Sequence, residues 1–294
     1  MTNFIQFLVS GLLVGGIYGL VAVIVVVVYK STKVVSIAHG QILAIGALFF
    51  WIFLGLFSFH PMISLFMALI LSGIMGYLVE KFTMRPLIGQ PLFSSFLMTF
   101  AVFMFLNGLF QLYLQGQSRA FPNFLPNERL SFNGIFVAED QIISFGVSIL
   151  FFAILMGFFK YTKVGLGMRA TAEDHALAQS SGVRVRTIFT VVWLISALGA
   201  CLAGIAAANI MDIHYPLPYI GIKGLIVAIL GGLESIGGAL LAGLILGIVE
   251  NIAAGYLDPM VGGGIMDVAA YVLLLLILLI KPYGLFGLRE IERI

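Results

Sequence analysis

The amino-acid sequence predicts an all-α integral membrane protein, a polytopic bundle of eight or nine transmembrane helices with a short cytoplasmic helix. Of its 294 residues, 61% are hydrophobic and only 10% are charged, whereas soluble domains carry about 25% charged residues. The charges are also clustered, which leaves long charge-free segments such as 1–29 and 34–79. A bilayer core requires about 20 apolar residues per helix. Continuous apolar runs such as 21–28 favour helices over the alternating pattern of barrel strands.

Nine apolar segments are candidate membrane spans. They are 4–29, 37–57, 62–79, 93–114, 141–159, 188–210, 213–233, 236–256 and 267–281. Segment 213–233 is the weakest, because Pro216 and Pro218 interrupt its start. It is either a full crossing or a broken, re-entrant helix that is buried in protein. The whole chain, 1–294, is therefore predicted to form a single membrane domain with eight or nine crossings.

The distribution of Lys and Arg indicates the orientation, because these residues concentrate in cytoplasmic loops. If the N-terminus is external and every segment crosses, twelve of the 15 Lys and Arg residues lie inside and three lie outside. The first of them, Lys30, follows the first apolar run, which is the reverse of the order in a secretory signal peptide. We therefore predict an uncleaved first span, an external N-terminus and a cytoplasmic C-terminus. Cys201 is the single cysteine, so no intrachain disulfide can form.

Two candidate spans carry small residues at a strict four-residue spacing. These are Gly11, Gly15 and Gly19 in the first span, and Ala239, Gly243 and Gly247 in the eighth. Small residues allow helix backbones to approach closely in a bilayer. The pattern predicts helix packing within the chain; a dimer interface or a pore wall would require the same residues.

The inner loop 160–187 predicts a short helix at the cytoplasmic face. Thr171 with Asp174 three residues later resembles a capping box, and Gly182 fits the left-handed position that follows a helix end. These signals predict a helix over 172–181, which is too polar to cross the bilayer. A projecting helix of this kind can be bound by a motor protein. The alternative, a helix that lies on the membrane surface, would need a larger apolar face. The outer loop 115–140 either docks an external partner or is a solvated linker.

Polar residues inside spans are candidates for a translocation path, because burying them in a bilayer is costly. The candidates are Glu250, Asn251, Asn107, Gln111 and Gln41. Hydrogen bonds between helices are the alternative role, above all for the amides. The sequence contains no phosphate-binding G-x-x-x-x-G-K-[ST] loop, so energy must come from another subunit or from an ion gradient. No paired carboxylates, metal-spaced histidines or Ser/His set occur in the spans, which disfavours an intramembrane enzyme and a metal site.

Five blocks of sequence resemble the branched-chain amino acid ABC permeases of the LivH type. They are 15–20 (GGIYGL), 35–41 (VSIAHGQ), 168–174 (MRATAED), 231–243 (GGLESIGGALLAG) and 281–287 (KPYGLFG). Each block is modest by itself, but their order along nearly the whole chain is specific.

The resemblance implies a permease subunit of a binding-protein-dependent importer in a bacterial inner membrane. Such permeases work with a second, similar permease, two ATPase subunits that carry ATP and Mg, and a periplasmic substrate-binding protein. The chain itself would bind no cofactor and catalyse no reaction. The residues that match the family's ATPase-coupling motif are Arg169, Glu173, Asp174, Ala178 and Gly182. Branched-chain amino acids are the leading substrates, followed by other amino acids, urea or short amides.

An ion-coupled secondary transporter of small polar solutes is the competing hypothesis. It would require intramembrane charges to bind the ion or proton. Glu250 is the one acid that the sequence places well inside a span, and the coupling loop would have no role.

Overall fold

A computed structural model describes residues 2–126, 128–132, 134–173 and 175–287. Within these ranges nine apolar helices follow the nine candidate segments. They are α1 (Thr2–Thr32), α2 (His39–Trp51), α3 (Pro61–Val79), α4 (Leu92–Leu114), α5 (Glu139–Tyr161), α8 (Val185–Met211), α9 (Tyr219–Gly231), α10 (Ile236–Tyr256) and α12 (Ile265–Ile280). The π-helical turn Ile52–Leu56 extends α2; the π-helical turn Glu80–Met84 and the 3₁₀ turn Arg85–Leu87 extend α3. Short helices α6 (Lys163–Glu173), α7 (His175–Ser180) and α11 (Asp258–Val261) complete the helical elements.

Of the nine apolar helices in the described ranges, seven are long enough to cross a membrane. The two shorter ones are α9, with 13 residues, and α12, with 16. The prediction of an all-α polytopic membrane protein is thus confirmed. Helix α9 corresponds to the weakest candidate, 213–233, and begins only at Tyr219. The prolines explain this late start, because the chain turns through residues 215–218 before the helix can form.

Helix α1 is the centre of the bundle. Its most apolar window is 89% buried, and it packs against α5, α8, α9 and α10. Its glycines explain this position, because Gly15 against α10 and Gly16 against Phe145 of α5 leave no room for a side chain and let the neighbouring helices approach closely. By contrast, α4 and α5 are each 22% buried, so both lie at the periphery and present apolar side chains outward.

The two stripes of small residues pack against each other in the contact between α1 and α10. A Cβ atom added at Gly11 would lie 2.6 Å from the carbonyl oxygen of Gly247, and one at Gly15 would lie 2.7 Å from that of Gly243. Gly19 continues the contact against Leu240. Both separations are too short for any side chain, so these positions require glycine.

The loop 115–140 contains an antiparallel hairpin that the sequence analysis did not predict. Strand β1 (Arg129–Phe132) pairs with β2 (Ile135–Ala138). Earlier in the loop, the backbones of Arg119 and Ile213 exchange two hydrogen bonds of 2.9 and 3.0 Å. The start of the loop is therefore attached to the bundle, whereas the hairpin exposes residues such as Arg129 and Phe136 to solvent.

Candidate coupling segment and buried polar clusters

The predicted coupling helix begins earlier in the structure than the sequence indicated. Helix α6 starts at Lys163, and the Thr162 hydroxyl accepts a hydrogen bond of 2.9 Å from the Gly165 N–H. Thr171 lies inside this helix, where its buried hydroxyl donates to the Gly167 carbonyl at 2.7 Å. The capping role predicted for Thr171 is therefore wrong. Thr162, one residue after α5 ends, supplies the capping hydroxyl instead, so α6 begins at Lys163.

The segment ends where Gly182 predicted that the helix would end. Helix α7 ends at Ser180, and Gly182 adopts a φ of +84°. The Val183 N–H then donates to the Ala178 carbonyl at 3.0 Å, as in a helix that closes through a left-handed residue. The predicted helix over 172–181 thus corresponds to the end of α6 together with α7. Asp174 lies outside the described residues.

The coupling candidates differ in how much of their side chains they expose. Glu173 and Gly182 are exposed. Arg169 donates to the Phe159 carbonyl oxygen, and its guanidinium lies 5.6 Å from the centroid of the Phe159 ring. Ala178 is only 3% exposed and belongs to a small apolar core with Val185. Its side chain therefore faces the interior of this chain, and the sequence-based expectation that it contacts a partner is corrected.

One side chain on this surface escaped the sequence analysis. Leu177 is 66% exposed and stands on the same segment as Glu173. The sequence signal that would have found it is a large apolar side chain in the otherwise small and polar helix HALAQS. Arg169 thus fixes the segment to the end of α5, Ala178 fixes it to α8, and Glu173 stands exposed on its outer side.

Glu250 lies in a charged cluster where α1, α9, α10 and α12 meet. Its side chain is fully buried. The Tyr18 hydroxyl donates to it at 2.8 Å, and Lys223 Nζ lies 3.0 Å from its Oε1. Lys223 also lies 2.9 Å from Oδ1 of Asp267, whose side chain is 73% exposed. A single lysine therefore joins a buried acid to an exposed one, and Glu250 does not stand as an isolated intramembrane charge.

The amide candidates form a separate cluster between α2 and α4. Gln41, which is fully buried, donates from Nε2 to Oδ1 of Asn107 at 2.9 Å. Two buried amide atoms, Oε1 of Gln41 and Nε2 of Gln111, have no hydrogen-bond partner among the described residues. Asn251 joins neither cluster, because its side chain donates to the Gly247 carbonyl of its own helix at 3.0 Å.

A second buried acid was missed by the sequence analysis. Glu80 is fully buried at the end of α3, and Arg85 donates to both of its carboxylate oxygens, at 3.0 and 2.6 Å. Thr190 of α8 donates to the same carboxylate at 3.2 Å. The sequence signal was Arg85, five residues after Glu80. The π-helical turn between them brings the two side chains within hydrogen-bond distance. Within the described ranges, no group of three or more His, Cys, Asp or Glu side chains is arranged to hold a metal ion.

Comparison with known proteins gives a consistent result over almost the full chain. Residues 7–281 match the family described as "Branched-chain amino acid transport system / permease component". The chain is 31% identical to the high-affinity branched-chain amino acid transport system permease protein BraD of Pseudomonas aeruginosa, over 99% of this chain and 98% of that protein. It is 30% identical to a probable LivH permease of Methanocaldococcus jannaschii, over 88% of this chain and 85% of that one.

A solved structure shares the fold. PsaBC from Streptococcus pneumoniae, determined in complex with Fab, aligns with a TM-score of 0.52 over 96% of each chain. The sequence identity is 14%, so this similarity concerns the architecture and carries no statement about substrate.

Proposed function

The chain belongs to the family of branched-chain amino acid transport permease components, and we propose that it is the membrane-spanning permease of an ATP-binding cassette importer for branched-chain amino acids. The observation that carries the proposal is the α6–α7 segment. It is polar, it is attached to α5 through Arg169 and to α8 through Ala178, and it exposes Glu173. A segment fixed on one side and exposed on the other can transmit force from a partner into the bundle.

We propose the partner set that this role requires. A second, similar permease completes the translocation path, two ATPase subunits bind below with ATP and Mg, and an external binding protein delivers the substrate. The chain lacks a phosphate-binding loop in its sequence, which supports placing hydrolysis on other subunits. ATP binding would then favour one of two bundle conformations through different contacts with α6–α7.

We place the protein in a bacterial inner membrane with nine crossings, the N-terminus outside and the C-terminus in the cytoplasm. The distribution of Lys and Arg supports this orientation. Helices α9 and α12 are short, but a turn at each end and local thinning of the bilayer accommodate short spans.

The amide cluster of Gln41, Asn107 and Gln111 is our preferred part of the translocation path. An unpaired buried polar atom costs about 1–3 kcal/mol, and this cluster contains two of them. It lies between α2 and α4, and α4 is a peripheral helix whose outward face is apolar. A second permease that packs on this face would bring the cluster to the junction of the two subunits, where a path would run.

The ion-coupled alternative loses its main support. Glu250 was its candidate for ion binding, and that carboxylate already contacts Lys223 at 3.0 Å and Tyr18 at 2.8 Å. A carboxylate that is neutralised within the protein is poorly suited to capture a coupling cation.

Reconstitution tests the proposal. The chain would be purified with the products of neighbouring permease, ATPase and binding-protein genes, incorporated into vesicles, and assayed with radiolabelled leucine, isoleucine and valine. We expect uptake that depends on ATP and on the binding protein, with urea and glutamate as negative controls. Uptake that follows an ion gradient in the absence of ATP would refute the proposal.

A further inference from the structure

A preformed apolar cavity lies between α2, α3, α5 and α8, at the end of the bundle that we assign to the outer face. Its volume is about 300 Å³. The walls are almost entirely hydrophobic and include Phe50, Leu65, Val147, Leu202, Ile205 and Ala206. Cavities of this size that combine apolar walls with a few polar groups are typical of small-molecule sites.

The outer loop forms the roof of this cavity and is held firmly in place. Phe124 and Leu125 line the cavity from the loop, and the Phe124 ring packs against that of Phe50 at 4.8 Å. The Trp51 indole N–H donates to the Ala120 carbonyl at 2.9 Å. The Phe121 N–H donates to Oδ1 of Asp212 at 2.8 Å. These anchors mean that the cavity is part of the folded structure.

The cavity has one polar end. Asn209 and Ser144 line it, and the Asn209 amide donates to Oδ2 of Asp140 at 2.7 Å. The Asn209 amide oxygen and the Ser144 hydroxyl are acceptors that an ammonium group requires, and the Asp140 carboxylate behind Asn209 favours a cation at this end. The same carboxylate repels a phosphate or a second carboxylate, so charge disfavours a phospholipid headgroup at this position.

We propose that this cavity is a subsite for a branched aliphatic amino acid. The side chain occupies the space between Phe50, Val147 and Ala206. The ammonium group binds at Asn209 and Ser144, next to the Asp140 carboxylate that Asn209 contacts. The substrate carboxylate stays in water on the outer side. The substrate class rests on the proposed function; the chemistry of the cavity, an apolar body with a cationic end, rests on the structure.

Cysteine protection tests the site without any partner subunit. Ala206→Cys places a thiol in the cavity wall, and the single native cysteine, Cys201, is fully buried, which gives a low background. The full chain in lipid nanodiscs would be labelled with methyl methanethiosulfonate. We expect leucine at ten times its Kd to slow labelling about tenfold, since the fraction of free sites falls as 1/(1 + [L]/Kd). Val147→Cys repeats the measurement from α5 if the first variant does not fold.

Analogues and matched variants decide which groups are recognised. 3-Methylbutan-1-amine, which keeps the ammonium group, should protect the thiol, whereas 4-methylpentanoate, which lacks it, should not. In the Ala206→Cys background, Asp140→Asn should abolish protection by leucine. Glu139→Gln is the control, because it makes the same change one residue away on the same helix turn.

Three outcomes would overturn the proposal. They are a thiol that no reagent reaches, labelling that leucine does not slow, and protection by 4-methylpentanoate equal to that by leucine. A fourth, faster labelling in detergent than in nanodiscs with no effect of leucine, would assign the cavity to a lipid acyl chain instead. None of these results depends on ATP-driven uptake, so failure here is distinguishable from failure of the proposed transport function.

Discussion

At the scale of single residues, Glu250 shows how neighbours determine the role of a buried charge. An isolated carboxylate in a bilayer would be expected to bind an ion or a proton. In this bundle it contacts a lysine from α9 and a tyrosine from α1, so it joins helices. The exposed Asp267 shares the same lysine and connects the cluster to α12.

Removal of Glu250 should therefore destabilise the bundle. We expect Glu250→Ala to lower the free energy of unfolding by about 3–5 kcal/mol, because Lys223 would be left buried beside Tyr18 without its main counter-charge. Glu250→Gln keeps an acceptor for the Tyr18 hydroxyl and should cost less. Thermal unfolding in detergent measures both. Asp267→Ala is the control and should cost under about 1 kcal/mol, because its side chain is largely in solvent; equal losses for Asp267 and Glu250 would contradict the assignment.

At the scale of elements, the contact between α1 and α10 depends on glycine. Gly15→Ala would place a Cβ 2.7 Å from the Gly243 carbonyl oxygen. We expect this substitution to separate the helices and to cost about 1–3 kcal/mol, as overpacking usually does. The measurement is again the unfolding temperature of the purified chain.

Gly146 of α5 provides the matched control for that substitution. A Cβ at this position meets no described atom within 4 Å, and alanine is a better helix former than glycine. Gly146→Ala should therefore be neutral or slightly stabilising. A loss of stability that is as large at Gly146 as at Gly15 would show that backbone propensity, and not packing, explains the effect.

The α6–α7 segment supports a prediction about coupling. Exchanging Glu173 and Asp174 for Lys should leave the bundle folded, since Arg169 and Ala178 provide the anchors, but should reduce ATP-driven uptake at least tenfold. The assay compares ATP hydrolysis with leucine uptake in reconstituted vesicles. Glu128→Lys, a charge reversal at an exposed site on the outer loop, is the control. Normal uptake by the double variant would remove α6–α7 from the mechanism.

At the scale of the whole molecule, the orientation is open to a direct measurement. Glu128 and Glu173 are both exposed and are predicted to lie on opposite sides of the membrane. A membrane-impermeant thiol reagent added to intact cells should label Glu128→Cys and should label Glu173→Cys only after permeabilisation. Labelling of both variants from the same side would mean that the number of crossings between them is even.

Much of the fold was predictable because a bilayer imposes a simple rule on sequence. Every candidate span from 4–29 to 267–281 became a helix, since backbone groups in hydrocarbon must bond within their own segment. The glycine stripes on α1 and α10 were also visible, because a four-residue spacing places them on one helix face. The hairpin of β1 and β2 was missed because four-residue strands at a water-exposed loop leave a weak pattern.

The sequence by itself determined that this chain is a membrane bundle of the branched-chain permease family, because hydrophobic length and ordered motifs are local properties that can be read along the chain. Only the tertiary structure decided which polar residues meet. Tyr18 and Glu250 are 232 positions apart, yet their side chains lie 2.8 Å from each other. The outer cavity likewise combines residues of α2, α3, α5 and α8. Such contacts depend on how helices pack, and helix packing in a bilayer is set by side-chain shape over distances that no local pattern encodes.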